Sequence, residues 1–311
     1  MRIFYICQRV PFPPDRGDKI TTFNEVRYLS GSHDVHVFCL ADGAGDVANG
    51  EGLRSIVRSV TAIPLTRWGT RVRALTALAT GKPLSVTFHA EAALLRAVRE
   101  GYAALRPDLI IVYSGNMAQF AEPFTDVPRI MQFAELDSLK WGHYAERTRP
   151  PMRWIYAIEH ARLLAYERRI AHSFTLSLLC TDFELAEFKR LIPGAPAACV
   201  RNGVDLDYFQ PHAGAKRSGE LVFTGVMDYM PNIDAVQWFS DAVLPIVRQA
   251  HPEAHFTICG SRPSKAVRDL AKRPGISVTG RVPDVRPYLD AAEVAVVPLR
   301  IARGIQNKLL E

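Results

Sequence analysis

No apolar run in the chain approaches the ~18–20 residues of a membrane-spanning helix, so a span of that kind is excluded on composition. Cysteine is sparse. The five thiols, Cys7, Cys39, Cys180, Cys199 and Cys259, are scattered, and none forms a C-x-x-C pair with metal-ligand spacing. Most lie in apolar strand-like runs, so buried thiols in a reducing compartment are expected. Internal repeats and low-complexity tracts are also missing, which leaves no basis for a solenoid or a disordered array. The opening "MRIFYICQRVPFPP" has too short an apolar part for a secretory signal, and Pro11, Pro13 and Pro14 follow it. A cytoplasmic protein is the expectation.

What is present is ordinary for a soluble globular protein. Hydrophobic residues make up 48% and charged residues 23% of 311 residues, a length that suggests two domains. The net charge of +6 admits an anionic partner: nucleic acid, a membrane surface or a phosphorylated small molecule. It does not choose among them.

Short β-rich runs alternate with helical patterns. "RIFYI" (2–6), "DVHVFCL" (34–40), "VTAIPL" (60–65), "DLIIVYS" (108–114), "PRIMQF" (128–133), "FTLSLL" (174–179) and "AACV" (197–200) read as strands. Helices are expected over 18–30, 151–172 and 182–191. The rhythm then repeats, with strands at 221–225, 254–260, 276–280 and 293–299 and helices at 232–249, 264–273 and 284–292. Strands alternating with helices imply a parallel sheet with helices on both faces. Two such series, split by the polar linker "HAGAKRSGE", imply two doubly wound domains, 1–212 and 213–311, with the natural ligand site in the cleft between them.

"VRNGVDLDYFQP" (200–211) poses a puzzle, because Asn-Gly is a strong hairpin signal yet no second strand follows. The turn therefore closes one unit and leads toward another. Asp205 and Asp207 match a D-x-D metal pattern, but no other carboxylate or histidine clusters nearby in sequence. Two acids capping a turn are the expectation, and no metal.

Three places could carry chemistry. After the first strand, Gly17 precedes a helix start, with Arg16 and Lys19 adding charge. An anion site and a proline-stiffened surface loop are equally compatible with it. After the last strand, Gly304 precedes a helix expected near Ile305, with Arg300, Arg303 and Lys308 able to neutralise a diphosphate. Glu311 shares a face with Lys308. After "RIMQF", Glu135 and Asp137 are candidates for holding an acceptor hydroxyl, and Asp137 is equally a candidate helix cap. The segment 66–84, with Trp68, Val72, Leu75 and Ala79 on one face and Arg67, Arg71 and Arg73 largely elsewhere, reads as a membrane-surface helix or as one packed on the sheet. The helix from Met152, with Arg153, Arg162, Arg168 and Arg169, invites the same two readings. No nucleic-acid recognition motif is present.

Taken together, "VRNGVDLDYFQP", "PDLIIVYS", "TDFELAEF", "LVFTGVMDYMPNIDAV", "ICGSRP", "VTGRVPDVRPYL" and "VAVVPLRIARGIQNKLLE" resemble glycosyltransferase family 4, which has the two-domain GT-B fold. The last block resembles a subgroup associated with bacterial exopolysaccharide loci. The resemblance implies transfer of a sugar from a nucleotide donor, with retention at the anomeric carbon and without metal or other cofactor. It implies a saccharide or lipid-linked saccharide acceptor. With such an acceptor and arginines flanking the apolar stripe, the faces around Arg67–Arg73 are expected to meet an anionic membrane. On this sequence Val282 would lie beside the base, with Arg281 adjacent. Gly304, Ile305, Gln306 and Asn307 would offer backbone to the diphosphate and sugar. Glu311 would hold the ribose, Lys308 would meet the diphosphate, and Gly17 would close over the phosphates. The sequence departs from the family in two places. The first acid of the family's E-x7-E motif falls on Arg303. The Arg and Lys expected after Gly225 are replaced by the stretch from Val226 to Asn232, leaving Lys308, Arg303 or Arg262 to supply charge. A nucleotide-sugar epimerase of the same fold and a basic nucleic-acid-binding protein are the alternatives. The pattern at 305–311 also leads to the expectation that the chain is a C-terminally truncated piece of a longer protein, with an incomplete second domain.

Overall fold

Every residue of the first strand after Arg2 is buried, so the strand faces water on neither side. That is the mark of a parallel sheet held between two helical layers. The structure, a computed structural model, describes the chain except residues 66–76, 78–79, 212–215 and 302–305. The expected helix over 66–84 therefore lies mostly outside the described residues, as do Arg303, Gly304 and Ile305.

The chain divides into two compact units, Met1–Asn202 and Gly203–Glu311, at the Asn-Gly pair itself. In the first unit, β1 (Arg2–Cys7), β2 (Asp34–Ala41), β3 (Ser59–Pro64), β4 (Leu109–Tyr113), β5 (Arg129–Ala134), β6 (Leu176–Leu179) and β7 (Ala197–Cys199) pair in the order β3-β2-β1-β4-β5-β6-β7. All pairs are parallel. Alternate residues serve opposite faces. Ile3, Tyr5, Val35 and Val37 fill one, while Phe4, Ile6, Phe38 and Leu40 fill the other. The chain works outward from β1 to β3 and returns to β4 on the other side of β1. This reversal opens a crevice at the carboxyl ends of β1 and β4.

In the second unit, β8 (Glu220–Thr224), β9 (His255–Cys259), β10 (Ile276–Gly280) and β11 (Val294–Ala295) pair as β10-β9-β8-β11, again all parallel. Phe223, Phe256, Ile258 and Ile276 anchor the larger core, and Val222, Cys259 and Ala292 a thin one on the other face. The described residues thus form two α/β units with parallel sheets. Four of the five thiols are buried and Cys199 is half-buried. No described helix is long and apolar enough to cross a membrane.

Several expectations need correction. The helix expected over 232–249 is Met230–Trp238, a π-turn at Phe239–Val243, and Leu244–Ala250. Pro245 has no N–H to give the carbonyl four residues back, so the ladder breaks there. The strand expected to Leu299 stops pairing as a strand at Ala295, and Pro298 cannot continue a ladder. The helix expected near Ile305 appears among described residues as a single 3-10 turn, Asn307–Leu309. Helices Ala44–Asn49, Leu84–Phe88, Ala92–Leu105 and Asp137–Arg147 were not legible. Ala44–Asn49 and Leu84–Phe88 are short, at six and five residues, and Ala92–Leu105 buries only Leu94 and Val98.

The helix Met152–Ser173 carries two carboxylates into the first unit's interior. Glu159 accepts from Leu84 N (2.6 Å), Ser85 N (2.9 Å) and Ser85 Oγ (2.6 Å), capping the helix Leu84–Phe88. Glu167 accepts from Ser138 N (3.2 Å) in the first turn of Asp137–Arg147. Asp137 caps nothing by its side chain. It pairs with Lys140 at 2.5 Å, which corrects the capping alternative. Burial pushes the Glu167 carboxyl up to about 8, with Asp137 adding to the rise. Raised above its unfolded value, Glu167 contributes stability that is present below pH ~4.5 and is lost as pH rises through about 8. Glu167→Gln cannot ionise, so its stability should gain on the wild type across pH 5–8, by on the order of a few kcal/mol. Thermal melts of both proteins across that range check this, and parallel pH profiles would refute it.

Candidate functional site

In the second unit the site begins where backbone meets backbone. β8 ends at Thr224 and Gly225 follows with φ +157°. Gly225 N donates to Cys259 O (3.0 Å) at the end of β9, and Met227 N donates to Ser261 O (2.8 Å). A Cβ on Gly260 would fall 1.6 Å from Gly225 O, so the turns after β8 and β9 can touch only because residue 260 is glycine. A Cβ on Gly225 would meet Asn232 Nδ2 at 2.8 Å and Lys308 Nζ at 3.1 Å.

Those two side chains are ordered around the turn. Asn232 Nδ2 donates to Val226 O (2.9 Å), and its Oδ1 accepts from Lys308 Nζ (3.1 Å). Lys308 also sits 4.0 Å over the Phe223 ring. An ammonium over a buried aromatic face gains cation–π attraction while losing water. Burial pulls its pKa down to about 8, with the Glu311 charge opposing the fall. Glu311 is raised by burial, against the pull of Lys308. The structure therefore brings Gly225, Lys308 and Glu311 together at the carboxyl end of β8, with Asn232, which the sequence analysis did not mark as a site residue. Its position at helix spacing in "MPNIDAV" gave no signal of that role.

The other expected donor residues fall less centrally. Arg262 follows Gly260 with φ +53° and pairs with Asp228 at 2.9 Å. Arg300 is bound to Asp234. Val282 packs against the thin core beside Val222 and Cys259, and Arg281 next to it is exposed. Gln306 and Asn307 are half-buried and precede Lys308. Asp205 accepts from Asp207 N (3.1 Å) and Tyr208 N (3.0 Å), so its carboxylate caps the turn. Tyr208 then stacks under Arg286 (3.9 Å), which pairs with Asp284 at 2.7 Å and holds that carboxyl down at about 2. The segment after Asn-Gly is fastened to the second unit. Among the described residues no cluster of three or more His, Cys, Asp or Glu could hold a metal.

In the first unit, Gly17 opens the helix Gly17–Ser30 with Arg16 at the N-cap position, and no side chain caps it. Nothing lies within 4 Å of a Cβ built on Gly17, so the fold does not require glycine there. Lys19, in contrast, is buried and bound to Asp46 at 3.2 Å, leaving Arg16 the more accessible charge. Glu135 and Asp137 follow Ala134 (φ +61°) at the carboxyl end of β5. Between these lies a pair that the sequence analysis missed. Gln8, just after β1, meets His89 Nε2 at 2.9 Å, while His89 Nδ1 donates to Ser85 O (2.7 Å). With Nδ1 protonated, Nε2 accepts, so Gln8 donates. Burial pushes the His89 pKa down and keeps the ring neutral.

With this geometry in place, comparison with known proteins adds the following. Residues 218–311 match the family model Glycosyl transferases group 1. No curated protein sequence matches the chain. Among solved structures, the chain is similar to a sucrose-phosphate synthase from Thermosynechococcus elongatus, at 14% identity over 96% of this chain and 76% of that one, TM-score 0.65. It is similar to the E. coli structure described as "Trehalose-6-phosphate from E. coli bound with UDP-2-fluoro glucose", at 13% identity over 96% and 79%, TM-score 0.59. It is also similar to the UDP-GlcNAc 2-epimerase from Methanocaldococcus jannaschii, at 11% identity over 95% and 78%, TM-score 0.51. These likenesses establish the fold as GT-B, with two Rossmann-like domains. Fold and family match together support a glycosyltransferase.

Gly260→Ala should destabilise the protein by on the order of 1–3 kcal/mol or more, because backbone must move to admit the methyl group. Gly17→Ala, which meets open space, should leave stability within ~0.5 kcal/mol. Denaturant unfolding of the two variants checks the contrast.

Proposed function

We propose that this protein is a retaining glycosyltransferase. In this reading it moves a sugar from a nucleotide-diphosphate donor to a saccharide or lipid-linked saccharide, without a metal, in exopolysaccharide or cell-surface glycan synthesis. The observation that carries the reading is Lys308, held against the Gly225 turn at the carboxyl end of β8, inside the segment that matches the glycosyltransferase family. Departure of a nucleoside diphosphate builds negative charge on its phosphates. A preoriented ammonium and backbone N–H groups stabilise that charge without reorganising at the moment of bond breaking. Glu311 is the proposed ribose ligand. Gly17 and Arg16 supply the first unit's approach to phosphate, and Glu135 or Asp137 the acceptor hydroxyl contact. Asp205 engaged in its turn supports a metal-independent reaction over D-x-D metal binding. Residues 67–73, expected to meet anionic lipid, lie outside the described residues.

The second reading, an epimerase, is favoured by one observation, the likeness to the UDP-GlcNAc 2-epimerase. Incubation with donor but no acceptor separates the two. An epimerase converts donor into a new nucleotide sugar, and a transferase requires the acceptor for turnover. Nucleic-acid binding would instead give DNA affinity that falls steeply with salt. A thermal-shift panel of nucleotide sugars selects the donor, since a bound ligand raises the melting temperature by mass action.

Lys308→Ala should lower kcat/KM about 10²-fold, while Lys272→Ala, a surface pair with Asp269, leaves it unchanged. Equal turnover in both variants removes Lys308 from the reaction. Lys308 is charged below its pKa of about 8, so wild-type kcat/KM should fall as pH rises through that value. Lys308→Arg cannot deprotonate there and should flatten the profile above pH 8. A steady-state pH series on the two proteins decides this.

A further inference from the structure

The helix Met152–Ser173 does two different jobs along its length. Its C-terminal part is fixed in the first unit. Leu163, Glu167, Ile170 and Ala171 are buried, Arg162 donates to Ala77 O, Arg168 to Leu191 O, and Arg169 pairs with Glu122. Of the four arginines marked in its sequence, only Arg153 remains free of such a bond among described residues. Its N-terminal part packs antiparallel against Asp137–Arg147. His160 donates to Ser138 O (2.7 Å), Gly142 abuts His160, and Trp141 and Tyr144 stack around Tyr156 at 5.4 and 5.9 Å.

Ser138 lies just past the carboxyl end of β5, and His160 is level with it. At 1.5 Å per residue, the stretch from His160 back to Met152 projects roughly 12 Å beyond that edge. The tip of this hairpin is apolar and uncovered. Trp154 is 62% exposed, Ile158 47%, and Met152 and Ile155 39% each. Residues 154, 155 and 158 share one face by their i, i+3 and i+4 spacing. Arg147, Arg149 and Arg153 are exposed at the same tip, and none is in an ion pair with a described residue, whereas Glu146 is the one exposed acid beside them. One exposed Trp, three exposed aliphatic side chains and three arginines with no ion pair among the described residues, gathered at one helical turn-around and backed by the half-buried Trp141, Tyr144 and Tyr156, form a pattern suited to the headgroup boundary of a bilayer. There the Trp154 ring and the aliphatic chains enter and the guanidiniums meet lipid phosphate.

We infer that the tip of the 137–173 hairpin is a docking surface for an anionic phospholipid bilayer. The three arginines, none in an ion pair with a described residue, favour an anionic lipid surface over a neutral or basic partner. The inference rests on the hairpin's geometry and not on the transfer reaction. It adds to the proposed function a membrane surface at the carboxyl edge of the first unit's sheet.

The test is co-sedimentation of the full chain with vesicles of phosphatidylcholine alone or mixed with phosphatidylglycerol, without any nucleotide sugar. Wild type should bind the anionic vesicles, more weakly as salt rises. Trp154→Ser/Ile155→Ser/Ile158→Ser should bind roughly tenfold less or worse. Arg147→Gln/Arg149→Gln/Arg153→Gln should lose the preference for anionic vesicles. All these positions are exposed, so both variants should retain the wild-type melting temperature. Vesicles with brominated acyl chains should quench wild-type fluorescence, and Trp154→Phe should bind equally with most of the quenching gone. Wild-type protein that ignores anionic vesicles at low salt overturns the inference, as does undiminished binding of the apolar variant. A wild-type dimer in sedimentation velocity that the apolar variant dissociates, without vesicle binding, assigns the surface to a second copy and equally overturns it. None of these readouts depends on donor turnover, so failure here and failure of the transferase reading are separable.

Discussion

A parallel sheet buried on both faces leaves only its edges for chemistry. Each strand of such a sheet is apolar on alternate sides, as in Ile3 and Tyr5 against Phe4 and Ile6, and a polar ligand on either face would displace core. The loops at the carboxyl edge are free of that demand. There the helices begin, and their N-termini point positive charge outward. The central strands of the first unit obey this constraint, and the second unit does so at β8 and β9, while both residues of β11 are exposed. In each unit, candidate site residues sit at that edge: Gln8, His89, Glu135 and Asp137 in one, Gly225, Asn232 and Lys308 in the other.

Charges taken inside are handled by local dipoles more often than by opposite charges. Glu159 and Glu167 reach across from one long helix to the N-termini of two others, where backbone N–H groups replace water. Glu159 gathers three donors. Glu167 has one, and its burial raises its pKa. Lys308 follows the same logic with a different partner set, an amide oxygen and an aromatic face in place of a carboxylate. A lysine so held makes no direct ion pair with a described acid, although the Glu311 charge acts on it, and so can still meet an incoming anion. It also titrates closer to neutrality than a surface lysine.

The division of labour along Met152–Ser173 follows from length. At 22 residues this helix spans ~33 Å, longer than the sheet it crosses, so part of it must project. The buried part carries the capping carboxylates. The projecting part carries large apolar groups that the first unit's core cannot reach. One element thus couples the packing of the first unit to a surface presented beyond its functional edge.

Much of this was legible in the sequence. Apart from the last strand, which ends at Ala295 and not Leu299, period-2 and period-3.6 patterns gave the strands of both sheets and helices such as Asp182–Leu191 within a residue or two, because burial on fixed faces dictates those periods. The two-unit plan followed from the polar break after the Asn-Gly pair; Lys308 was marked by its charge beside an expected helix start, and Gly225 and Glu311 by the resemblance to a glycosyltransferase family. Contacts between distant segments were not legible. Asn232 and Lys308 are 76 residues apart, and Gln8 and His89 are 81 apart, with nothing local marking either pair. Pro245 turned a predicted helix into two with a π-turn between, and the first turn at Ser138 is capped not by Asp137 but by Glu167, 29 residues from Ser138. The sequence alone determined the elements and their order, because these depend on which residues must leave water. Only the tertiary structure decided which charges are buried, which are paired and which apolar face is left uncovered. Those depend on where separate segments meet, and no local pattern encodes that.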